Sequence, residues 1–152
     1  MTDIHLTLKN SLKEALKAKD TVRLNVIRAL LTSFVNELVS NNQTPQDILS
    51  DDMANRVILR TIKQREDAIK QFESAGRQDL ADEDKAQLLI LQEYGPVMVS
   101  FDEIKKVVQR LKDENNFTDK SSLGKLIGLA KKELGDNADG NIIKDVVNEI
   151  FV

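Results

Sequence analysis

Two groups of cations are spaced as phosphate contacts require. Arg56, Arg60, Lys63 and Lys70 fall along one side of a helix-forming stretch, interrupted by Asp67. Lys125, Lys131 and Lys132 fall on a second such stretch, which also holds Gly124 and Gly128; the Ala-Asp-Gly turn at Ala138, Asp139 and Gly140 follows closely. Ammonium and guanidinium groups in a row neutralise a nucleic-acid backbone. Glycines beside them leave room for a sugar-phosphate strand, and the amides opening the next helix make an anion site. Plainer explanations exist for the same residues. Charged rows are often solvated faces, and glycines four apart let two helices pack tightly. The residues expected to meet RNA are Lys125, Lys131, Lys132, Gly124, Gly128, Asp139, Gly140, Arg60 and Lys63.

A second set of arginines reads as structural. Arg65 falls in the middle of the stripe made by Ile58, Ile62, Ile69 and Phe72, and Arg28 lies beside the stripe of Leu24, Ile27, Leu31 and Val35. An arginine there must snorkel or pair with a carboxylate, because an unpaired buried charge costs several kcal/mol. Asp79, just past Gly76, is the expected partner of Arg65 or of Arg77. Lysine at position 65 would be a poor replacement if the planar guanidinium fork makes the pair.

No catalytic centre is legible. His5 is the one histidine and reads as a solvated residue near the N-terminus. Asp51/Asp52 and Asp82/Glu83/Asp84 sit at helix starts, where acids favour the dipole, so capping or solvation is expected of them. No serine lies in a Gly-x-Ser-x-Gly context, and Gly-Lys-Leu-Ile-Gly at 124–128 lacks both the glycines and the preceding strand of a phosphate loop. No metal or cofactor is expected. The chain has no cysteine, which excludes disulfides and thiolate chemistry.

The elements that must position these residues are helical. The 152 residues hold two prolines, six glycines and 4% aromatics, so the core is built of aliphatic side chains. No apolar run approaches the roughly 18 residues of a membrane helix. The start of the chain has neither a basic region followed by an apolar run nor an Arg-rich stretch. A cytoplasmic location is therefore expected, with the mitochondrial matrix open to a processed form. The net charge of −3 means that any nucleic-acid contact must come from a local patch.

Asp3 is expected to cap a helix over 4–18, with Leu6, Leu8, Leu12, Ala15 and Leu16 as its apolar positions, and Asp20 one over 21–40. Ser50 or Asp51 opens a long helix to Ala75, and Gly76 supplies the left-handed conformation that ends it. Asp79 or Asp82 opens a fourth helix to Tyr94. Gly95 and Pro96 break the pattern, and Ser100 and Glu103 form a capping box for a fifth helix over 101–114. Helices over 122–134 and 141–151 complete the chain. The expectation is an all-α monomer: an N-terminal unit of about four helices over 1–95 and a three-helix C-terminal unit over 96–152.

Four stretches carry a family likeness: KAKDTVRLNVIRALLTSFVNE at 17–37, KQREDAIKQFESAGRQDLA at 63–81, GKLIG at 124–128 and ADG at 138–140. Together they resemble the YqeY family, whose small relative is the tail of the B subunit of tRNA-dependent amidotransferase, GatB. The likeness covers nearly the whole chain. It implies a C-terminal unit similar to that tail, which in its own family packs onto tRNA. It also implies partners of the kind tRNA or an amidotransferase/aminoacyl-tRNA complex. The family's label, carbon–nitrogen ligase activity with glutamine as amide donor, is inherited from GatB, and the portions that do that chemistry there are absent here. The expected function is a non-catalytic tRNA-binding or adaptor module; the alternative is a protein-interaction scaffold without RNA. Where the family has Tyr-Leu-Pro, this chain has Tyr94-Gly95-Pro96, and the glycine is expected to loosen the joint.

Overall fold

The computed structural model describes residues 3–151. They form seven α-helices with no strand among them: α1 Asp3–Ala18, α2 Thr21–Ser40, α3 Asp51–Ser74, α4 Gln78–Tyr94, α5 Phe101–Glu114, α6 Leu123–Leu134 and α7 Gly140–Ile150. The protein is all-α. Short 3-10 turns at Lys120–Ser122 and Gly135–Asn137 flank α6. The chain divides into two compact units, Met1–Pro96 and Val97–Val152. None of the helices is long and apolar enough to cross a membrane.

Capping chemistry sets most boundaries. The Asp20 side chain accepts the Arg23 amide, Ser50 that of Met53, Ser100 that of Glu103 and Asp139 that of Asn141. α4 departs from expectation. It starts one residue before Asp79, and its cap position, Arg77, makes no side-chain cap. The turn before it supplies the order instead. Gly76 adopts φ +73°, the Gly76 amide donates to Glu73 O and the Arg77 amide to Phe72 O at 2.8 Å. This paired closure satisfies the last carbonyls of α3.

A Cβ at Gly76 would meet nothing within 4 Å. The glycine is therefore there for its backbone alone. Gly76→Ala is expected to destabilise the fold by about 1 kcal/mol, the cost of a left-handed non-glycine residue; Gly76→Asn should cost less. Urea unfolding of the three proteins checks the order.

Each unit has its own core. In the first, Leu8, Ile27, Leu30, Phe34, Leu38, Leu49 and Ile58 are fully buried. The stripes differ from the expected ones by a fraction of a turn. On α2 the buried residues are Val26, Ile27, Leu30, Phe34 and Leu38, while Leu24, Leu31 and Val35 are half-buried. On α1 the buried face is His5, Leu8 and Ala15, with Leu12 packed beside it, and Leu6 and Leu16 are exposed. In the second unit, Ile104, Val108, Leu126, Ile143, Val146 and Val147 converge from α5, α6 and α7. Arg110 on α5 pairs with Glu133 on α6, and Lys105 pairs with Glu149 on α7 at 3.7 Å.

Gly95 follows α4 with ordinary dihedrals, φ −78° and ψ 166°. A Cβ there would stand 3.2 Å from Ile62 Cδ1 and 3.4 Å from Ile58 Cγ2. The glycine lets the chain lie close on α3, a packing role that the expectation of a loosened joint did not include.

Candidate nucleic-acid interface

α6 is amphipathic. Leu126 and Ala130 are buried, with Leu123, Ile127, Leu129 and Leu134 packed around them. The helical repeat of about 3.6 residues then turns Gly124, Lys125, Gly128, Lys131 and Lys132 to the other side, and all five are exposed. A Cβ at Gly124 or Gly128 would meet nothing within 4 Å. No described helix packs on these glycines, so tight helix packing does not account for them. Glycine inside a helix costs about 1 kcal/mol against alanine, and nothing inside the fold offsets that cost at Gly128.

The start of α7 lies beside this face. The Asp139 carboxylate accepts the Asn141 amide at 2.8 Å, and the Ile143 amide donates to Asp139 O at 3.0 Å. Asp139 thus caps α7. A Cβ on Gly140 would lie 3.3 Å from Lys131 Cε and 3.5 Å from Lys131 Nζ. A side chain at position 140 would make the exposed lysine stem give way by a few tenths of an ångström. The ammonium, which forms no ion pair among the described residues, is set at the positive end of a helix dipole. The Asp139 charge offsets part of this field. What remains, with Lys125 and Lys132 on the same face, attracts an anion.

The expected row on α3 fares differently. It belongs to the other unit. Its Arg60 is committed to Glu37 at 3.2 Å, while Lys63 is exposed.

The structural arginines also sort out. Arg65 is half-buried, its side chain 30% exposed, and Nη1 donates to Asp84 Oδ1 at 3.2 Å. The partner is Asp84 on α4, 13% exposed, not Asp79. Asp79 pairs with Arg77 at 3.3 Å on the surface, and hydrogen bonds from that guanidinium hold its carboxyl below the usual carboxylate range. Arg65 Nε is buried with no hydrogen-bond partner, so the pair is single-pronged rather than a fork. Arg28 needs no compensation: the α2 stripe is rotated away from it and it is exposed.

Two features escaped sequence reasoning. Arg23 donates to both oxygens of Glu93 at 2.7 and 3.2 Å and to Tyr94 Oη at 3.1 Å, which ties the end of α4 to the start of α2. The hydrogen bonds from Arg23 hold the Glu93 carboxyl below its ordinary value. These partners are about seventy residues apart, and no local spacing announces them. The other feature is His5, which is 1% exposed rather than solvated. Its spacing to Leu8, Leu12 and Ala15, at i+3, i+7 and i+10, was the available signal.

Among the described residues no group of three or more His, Cys, Asp or Glu is placed to hold a metal. The one histidine lies in the core of α1 and α2.

A family model for "Yqey-like protein" matches residues 5–151. A Candida glabrata protein named "Altered inheritance of mitochondria protein 41, mitochondrial" is 30% identical over 88 residues, 58% of this chain and 47% of its own length. The protein of that name from Pyrenophora tritici-repentis is 33% identical over 87 residues, 57% of this chain and 46% of its length. The one from Clavispora lusitaniae is 24% identical over 153 residues, 95% of this chain and 85% of its length. The chain thus spans about half the length of the first two relatives. With the family model covering α1 through α7, this chain belongs to the YqeY family.

Proposed function

We propose that this YqeY-family protein is a non-catalytic RNA-binding module whose C-terminal unit contacts tRNA phosphates, serving glutamine-dependent tRNA amidotransferase systems as an adaptor. One observation carries the reading: the Lys131 ammonium, which forms no ion pair among the described residues, rests on Gly140 at the start of α7, beside a helix face of exposed lysines and open glycines. Cations there neutralise phosphate, and the glycines let the strand come close. The named relatives carry "mitochondrial" in their names, which supports an organellar setting for this chain as well. The alternative, a protein-interaction scaffold without RNA, draws on exposed apolar side chains such as Leu89 and Phe101.

A gel shift of bulk tRNA with the full chain separates the two: retardation supports the RNA reading, and none supports the scaffold. Gly128→Ala sharpens the test. Helix propensity alone predicts a gain of about 1 kcal/mol in stability. A methyl group on a surface that a sugar-phosphate strand must approach predicts weaker tRNA retention. A more stable variant that binds tRNA as before would remove the glycine from the interface.

A further inference from the structure

We propose that His5 is a pH-sensitive latch: its neutral ring holds the first turn of α1 on the segment before α3, and its protonation opens that contact. The Leu49 amide donates to His5 Nδ1 at 2.9 Å. An amide N–H can only donate, so Nδ1 carries its lone pair and the proton sits on Nε2. Next to this bond the Ile4 amide donates to Asp51 Oδ1 at 2.9 Å. The two bonds join the start of α1 to residues 49–51.

The ring has no room for a charge. It lies edge-on to Phe34, with centroids 5.2 Å apart at 76°. Leu8, Phe34, Leu38 and Leu49 of the surrounding cluster are fully buried. Adding a proton to Nδ1 would set donor against donor. It would leave the Leu49 amide unpaired inside the protein and place a cation in an apolar cluster. Among the described residues, the groups around the ring do not offset this. α2 presents Phe34 and the 41–50 segment presents Leu49. Asp51, at the start of α3, has one carboxylate oxygen on the Ile4 amide. Lys9, one turn on in α1, adds a like charge. Burial first, and Lys9 second, push the imidazole below its ordinary value.

The direction of the effect follows. The open state binds the proton with the ordinary value of 6.5 and the closed state binds it less readily. The contact therefore has its full strength above 6.5. It weakens as pH falls from there towards the closed-state value, and below that value it loses no more. Within the window the open population rises by up to about tenfold per pH unit. Opening frees the first turn of α1 and residues 41–50, which carry no helix of their own, and uncovers Leu8, Phe34 and Leu38.

The test uses the full chain, uniformly 15N-labelled. Because the sequence has a single histidine, its ring signals need no assignment. A titration from pH 8 to pH 5 should show a midpoint below 6.5. Over the same range the Leu49 amide protection factor, corrected for intrinsic exchange, should fall about tenfold per pH unit below 6.5. Protection at Val108 and Ile143 in the other unit should hold. In His5→Asn, whose side-chain oxygen can take the Leu49 amide without titrating, Leu49 protection should no longer depend on pH. A midpoint at or above 6.5, a flat Leu49 profile in the wild type, or a profile that still falls in the variant would each overturn the latch.

Discussion

Lys131→Glu combined with Lys132→Glu is expected to lower tRNA retention at least tenfold while leaving the circular dichroism unchanged. Both side chains are exposed on α6, and surface changes of this kind usually stay within about 0.5 kcal/mol of wild-type stability. Lys131 needs one allowance. It sits in the last turn of α6, where an acid opposes the helix dipole at a cost of about 0.3–1 kcal/mol. The pair Lys131→Gln, Lys132→Gln avoids that cost. It removes the cations without adding anions, so its retention should lie between wild type and the reversed pair. Filter binding of bulk tRNA at fixed salt gives the order. Equal retention in all three proteins would move the contact away from α6.

The second large effect lies in the other unit. Arg65→Ala is expected to destabilise it by about 2 kcal/mol, the low side of breaking a buried pair because the arginine is partly solvated. Asp84, 13% exposed, would be left without its cation, and the arginine stem would no longer cover the α3–α4 seam. For a unit of this size that is a fall of about 10 °C in melting temperature. Arg65→Lys should be much milder than the fork argument implies. The observed pair uses one nitrogen, and lysine carries no Nε–H to leave buried and unsatisfied. In Arg65→Ala with Asp84→Ala, part of the loss should return, because no carboxylate then remains unpaired. Thermal melts of the four proteins check this. A melting temperature untouched by Arg65→Ala would mean the pair is a surface one.

Local chemistry was the legible part of the sequence. Asp20, Ser50, Ser100 and Gly76 each mark a helix end through bonds made within a few residues, so their types and positions suffice. Arg65 announced itself by interrupting an apolar stripe. Its partner did not: Asp84 reaches it because α4 packs back on α3 after the Gly76 corner, and Asp79 faces outward one turn earlier. On α1 the expected apolar positions, Leu6, Leu8, Leu12, Ala15 and Leu16, put Leu6 and Leu16 on the buried side, and both are exposed. The polar His5 holds the place that Leu6 was given, because the Leu49 amide satisfies its ring nitrogen. For the candidate interface, the sequence puts the lysines and glycines on one helix, and which residues α6 buries puts them on its exposed face. The contact between Lys131 and Gly140 depends on how α7 packs against α6, which no spacing along the chain encodes.

Binding of bulk tRNA across a salt series tests the central proposal most directly. Three lysines on phosphates release counterions on binding, which gives a slope of about −2 in log K against log salt. The account predicts that slope for the wild type and a much flatter one for Lys131→Glu, Lys132→Glu. Wild-type protein that shows no salt-sensitive tRNA binding at all would contradict it, and the C-terminal unit would then be a docking element for protein rather than for RNA.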